Sequence, residues 1–125
     1  DGLADLNDMV AAASRHGYRY CAITDHAPLL AMQRMTRDKA LQQRSELAEA
    51  ARRHGIAVLH GSELNIAADG SLDWDDDFVA GFDVLIASVH SDFDQTREAV
   101  HLPCQGTPLI RPRLPPAANV TLADT

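Results

Sequence analysis

At 125 residues the chain has room for one ordinary domain, whereas a closed α/β barrel usually takes about 250. A net charge of −7 argues against a broad electrostatic grip on nucleic acid, which needs a basic stripe, though not against a small site where metal ions supply the positive charge. The apolar fraction of 46% fits a globular soluble protein, and no apolar run nears the ~20 residues of a membrane span, so no membrane partner is expected.

The chain starts on Asp1-Gly2 with no charged-then-apolar leader, which reads as a fragment without a signal peptide and with a cytoplasmic location. Leu3, Leu6, Met9, Val10 and Ala13 fall at helical spacing, with Asp5 and Asp8 in the early turns. Arg15-His16-Gly17 is a helix end, and His16 there is a terminal cation rather than a ligand. Tyr18 to Ile23 is the first strand. It carries Cys21 as a core thiol, far in sequence from Cys104 and unsuited to a disulfide framework. The strand runs into Thr24-Asp25-His26, and the chain turns at Ala27-Pro28.

A loop to Thr36 follows, in which Arg34 and the nearby Arg37 fit phosphate oxygens less well than they fit solvent. Asp38 to Arg53 is a second amphipathic helix with Ala40, Leu41, Leu47, Ala48 and Ala51 inward, closed by a second Arg-His-Gly at Arg53-His54-Gly55. The next strand begins at Ile56-Ala57-Val58-Leu59 and continues through Gly61-Ser62-Glu63-Leu64-Asn65-Ile66; His60 within it is structural. Ala68-Asp69-Gly70-Ser71 is a turn of hairpin type. Trp74 to Gly81 reads as a short acidic helix capped by Asp73, with Asp75, Asp76 and Asp77 serving the helix dipole rather than a calcium loop. Phe82 to Val89 is the third strand, ending at His90, and Ser91 to Val100 opens another helix. From His101 onward the text holds five of the six prolines and no periodicity, so residues 101–125 read as an irregular tail.

The β-α-β-α-β alternation of apolar strands predicts an α/β fold with parallel pairing. Three successive strands end in His26, Glu63 and His90. Imidazole and carboxylate donors at strand ends suit zinc, manganese or iron, and two or more such ions would activate water and clamp a phosphate.

Four motifs in order carry a family resemblance: Asp1-Gly2-Leu3; Gly17-Tyr18-Arg19-Tyr20-Cys21-Ala22-Ile23-Thr24-Asp25-His26; Gly61-Ser62-Glu63-Leu64-Asn65-Ile66 with Asp69-Gly70-Ser71-Leu72-Asp73; and Ala87-Ser88-Val89-His90-Ser91. Over roughly residues 1–100 they resemble the PHP (polymerase and histidinol phosphatase) domain, above all the one attached to bacterial family X DNA polymerases. The resemblance implies the N-terminal part of a distorted (β/α)7 TIM-like barrel, with up to three divalent metals at the carboxyl ends of its strands. It implies a metal-dependent phosphoesterase of histidinol-phosphatase or 3′–5′ exonuclease type, with phosphate esters or DNA ends as substrate and a polymerase domain in the parent chain.

By position, Asp1 and His26 match ligands of one outer metal, Glu63 the carboxylate bridging the other two, and His90 a ligand of one of those. Glu63 and His90 are thus the expected catalytic pair, and Asp25 an orienting residue. The family's opening His-x-His and its later Gly-His-Pro-like and Asp-x-His ligands have no match here, so the domain reads as truncated, with the tail translated out of frame. The alternative reading is an inactive fragment, or a non-enzymatic module that regulates a polymerase.

Overall fold

The computed structural model describes residues 2–28 and 35–88. In chain order they form α1 (Leu6–Arg15), β1 (Tyr20–His26), α2 (Arg37–His54), β2 (Ala57–Asn65), α3 (Asp76–Val79) and β3 (Val84–Ser88). The strands make one parallel sheet in the order β1-β2-β3, so each connection returns the chain to an adjacent position. The α/β class and the parallel pairing expected from the sequence are both present. The helix expected over Ser91 to Val100 and the Pro-rich stretch 101–125 lie outside the described residues.

Both Arg-His-Gly joints stop a helix, each by placing a glycine at a left-handed φ that residues with a Cβ rarely adopt. Gly17 has φ 79° and Gly55 φ 65°. At the first joint the N–H of Tyr18 reaches Ala13 O and that of Gly17 reaches Ser14 O, the two bonds of a Schellman turn. At the second, the N–H groups of Gly55 and Ile56 both reach Ala51 O. Ser14 Oγ donates to His54 O at 2.9 Å and Asn7 Oδ1 meets His54 Nε2 at 2.9 Å, so the two joints are pinned together.

Some helix details differ from the expectation. α1 starts after Asp5, whose side chain caps it by accepting from Asn7 N, so Leu3 precedes the helix and lies fully exposed. The inward face of α2 is Ala40, Leu47 and Ala50, whereas Leu41 and Ala48 are exposed and Ala51 is half-buried. The cause is the rotation of the helix: Gln43 and Arg44 lie on the inward side between Ala40 and Leu47, which turns Leu41 and Ala48 outward. α3 is capped by Asp75, which accepts from Phe78 N at 3.0 Å, and not by Asp73, whose carboxylate accepts from Asn65 N instead. The Asp69-Gly70 turn forms as expected, with Gly70 at φ 81° and an antiparallel bridge between Ile66 and Leu72.

The core lies between the sheet and its helices, in two parts. Val10, Leu47, Ala50 and Ile56 pack with Leu6, Ala13, Ile23, Val58 and the half-buried Cys21. Ala27, Ala40, Leu64, Val79 and Phe82 pack around Trp74. Alternation along a strand sends successive side chains to opposite faces. Cys21, Ile23, Asp25, Val58, His60, Ser62 and Leu64 therefore face the helices, and Ala22, Thr24, His26, Leu59, Gly61 and Glu63 face the other way.

Candidate metal centre

His26 and Glu63 are register partners at the carboxyl ends of β1 and β2. Their placement follows from the parallel ladder, which sets equivalent ends of consecutive strands side by side. Ala27 N continues that ladder by donating to Glu63 O at 2.9 Å, which fixes the chain immediately after His26. The side chains converge on the face away from the helices, with His26 Nε2 3.5 Å from Glu63 Oε2. Both are about a quarter exposed, open enough to receive a ligand and enclosed enough to hold one orientation.

The strands are drawn close together one step back from the pair. Gly61 is the register partner of Thr24 and Val84, and a Cβ on it would stand 2.6 Å from Thr24 Cγ2 and 2.9 Å from Val84 O. The glycine of Gly61-Ser62-Glu63 is therefore needed for close approach of the neighbouring strands beneath Glu63.

The donor chemistry suits a divalent ion. Two ligands bound at about 2.1 Å with tetrahedral to right-angled geometry lie about 3.0–3.4 Å apart, and the His26–Glu63 separation is close to that. Of the other expected ligands, Asp1 and His90 lie outside the described residues. No group of three or more metal-ligating side chains is formed among the described residues. His26 and Glu63 are thus the part of the expected ligand set that the described residues bring together.

The remaining singled-out residues separate cleanly. His60 faces the helices, opposite to Glu63, and is 4% exposed, in keeping with a structural role. Burial and the Arg44 guanidinium lower its pKa to about 4, outweighing the opposite pull of Asp83 and Asp25. Asp25 is also buried on the helix side, where its carboxylate accepts from Gln43 Nε2. Arg37 is the first residue of α2 and is engaged twice, in an ion pair with Asp75 and over the Phe78 ring at 4.7 Å. Arg34 lies outside the described residues.

Sequence reasoning missed Gln43 and Arg44. Arg44 Nε donates to His60 Nδ1 at 3.3 Å, and Gln43 links His60 to Asp25. The available signal was their spacing from Ala40 and Leu47, which puts them on the buried side of the helix.

The described residues thus form a parallel α/β sheet with an imidazole and a carboxylate paired at adjacent strand ends. The chain matches the PHP domain family over residues 1–111 and belongs to it. It is also 38% identical over 102 residues to the DNA polymerase/3′-5′ exonuclease PolX of Bacillus subtilis (strain 168), a match covering 80% of this chain and 18% of that protein. The chain therefore spans under a fifth of the length of this relative. Among the described residues no helix is long and apolar enough to cross a membrane.

Proposed function

We propose that this PHP domain is a metal-dependent phosphoesterase, and that His26 and Glu63, with Asp1 and His90, hold its divalent ions. The observation that carries the reading is the convergence of His26 Nε2 and Glu63 Oε2 at neighbouring strand ends. Zinc, manganese and iron all suit a mixed imidazole and carboxylate set. When bound, such ions lower the pKa of a coordinated water and neutralise charge on a phosphoryl group. The chain's own part is to present an imidazole nitrogen from β1 and a carboxylate from β2 in a fixed relation, with Gly61 keeping the strands close beneath them.

Similarity to a polymerase-linked exonuclease favours nucleic-acid 3′ ends over histidinol phosphate as substrate, and a polymerase domain in the parent chain. The net charge of −7 agrees with a site that takes a strand end rather than a surface that tracks a duplex. In this reading the domain takes in the matched residues 1–111, about ten beyond the boundary near residue 100 that the motifs suggest, and the protein works in the cytoplasm.

The test is hydrolysis of p-nitrophenyl phosphate and of a 3′-labelled oligonucleotide with manganese added, for the wild type, His26→Ala and Glu63→Ala. The proposal expects turnover by the wild type and a loss of roughly 100-fold or more in both variants, the scale on which removal of one catalytic group acts. Equal rates in all three proteins contradict it, and an inactive wild type points instead to a fragment without catalysis.

A further inference from the structure

Beneath the metal pair, on the helix side of the sheet, four polar side chains form a continuous chain. Arg44 Nε contacts His60 Nδ1 at 3.3 Å, His60 Nε2 contacts Gln43 Oε1 at 3.1 Å, and Gln43 Nε2 contacts Asp25 Oδ2. Its direction is forced from both ends. A guanidinium only donates and a carboxylate only accepts, so His60 must accept at Nδ1 and donate from Nε2, and Gln43 must accept at Oε1 and donate from Nε2. Every bond therefore runs from the Arg44 cation towards the Asp25 anion, an arrangement in which successive bonds polarise one another. The ring of His60 is held neutral, in keeping with a pKa of about 4, and packs against Phe82 at a 39° tilt with ring centres 4.7 Å apart.

Gln43 occupies the middle of this chain and is its sole residue that grips both metal-bearing strands. One end of its carboxamide holds Asp25, the residue immediately before His26; the other holds His60, three residues before Glu63. Both grips come from one rigid planar group on α2. A relative slide or splay of the β1 and β2 ends, which would separate His26 from Glu63, would break at least one of them.

We propose that Gln43 is a positioning residue for the metal pair: its carboxamide clamps β1 and β2 from the helix side and sets the distance between the His26 and Glu63 side chains. The role rests on the metal-centre reading above. Gln43 touches neither ligand and acts through Asp25 and the strand backbone.

The test uses the full 125-residue chain and manganese alone. Mn²⁺ binding is measured by isothermal titration calorimetry for the wild type, Gln43→Met and Gln43→Glu, alongside metal-free thermal unfolding. Gln43→Met removes both grips. Gln43→Glu keeps the size and the acceptor for His60 but cannot donate to Asp25, so it carries the test if the apolar variant fails to fold. Both are expected to weaken Mn²⁺ binding by roughly ten-fold or more, the usual effect of removing a group that orients a ligand. In Gln43→Glu the His60 ring, followed by NMR, is also expected to take up its proton at higher pH than in the wild type, because its partner has become an anion.

A folded Gln43 variant that binds Mn²⁺ as tightly as a binding-competent wild type overturns the positioning role alone, as does an unchanged His60 titration in Gln43→Glu. A wild type that binds no Mn²⁺ overturns the metal-centre reading and this role with it.

Discussion

His60 is a buried histidine whose ring has no place for a second proton in the folded chain. Its Nδ1 faces Arg44, its Nε2 is committed to Gln43, and the carboxylates of Asp25 and Asp83 only partly offset the cost of charging it. Unfolding returns the ring to a pKa near 6.5, so between about 4 and 6.5 the unfolded chain binds the extra proton. The sign follows: this contribution is complete above pH 6.5 and is lost as the pH falls towards 4. It amounts to about 3 kcal/mol over the whole window. Urea unfolding at pH 7 and pH 4.5 checks it, with His60→Gln as the reference, which should flatten the dependence over that window. A second residue-scale expectation concerns Gly61, where a methyl group would press on Thr24 Cγ2 and the Val84 carbonyl. Gly61→Ala should destabilise the chain by about 1–3 kcal/mol in denaturant unfolding, because one of its neighbours is backbone and cannot step aside.

At the scale of elements, α3 is the least self-sufficient piece, a single turn that needs its cap. Asp75 supplies the cap to Phe78 N and also pairs with Arg37 at the start of α2. Asp75→Ala should cost about 1 kcal/mol in thermal or urea unfolding, nearly all of it from the cap, since the ion pair with Arg37 is more than half exposed. The turn is held against the sheet by Trp74, Phe78 and Phe82. Trp74 and Phe78 are 4.7 Å apart by ring centre, Phe78 and Phe82 meet edge-on at 5.6 Å, and the Trp74 indole donates to Ser62 Oγ at 3.1 Å.

These elements also show what the sequence could and could not reveal. The strand ends at His26 and Glu63 were legible because an apolar run that stops in polar residues is a local pattern. The helix stops at Gly17 and Gly55 were legible because the positive φ they supply is a local need. An acid run offers several equivalent caps for α3, and the choice of Asp75 over Asp73 depends on Asp73 being drawn to Asn65 N, a contact eight residues away. Gln43 and Arg44 were passed over because polar residues in an amphipathic helix read as its wet face. Their partners, His60 and Asp25, are brought to them only by the register of β1 against β2.

On the scale of the whole molecule, the sheet divides the chemistry between its two faces. The helix side carries the packed core and the Arg44–His60–Gln43–Asp25 chain, and the other side carries His26 and Glu63 above the close approach of the strands at Gly61. The family membership gives this division its meaning, since the imidazole and carboxylate sit where an α/β sheet presents its ligands. The proposal that His26 and Glu63 hold a divalent ion is open to measurement. Zinc titration of the metal-free chain, with bound metal counted per protein for the wild type, His26→Ala and Glu63→Ala, tests it most directly. At least one tightly held ion in the wild type, weakened by roughly ten-fold or more in each variant while the fold is retained, is the predicted result. Zinc binding that is absent from the wild type, or unchanged when either side chain is removed, would contradict it.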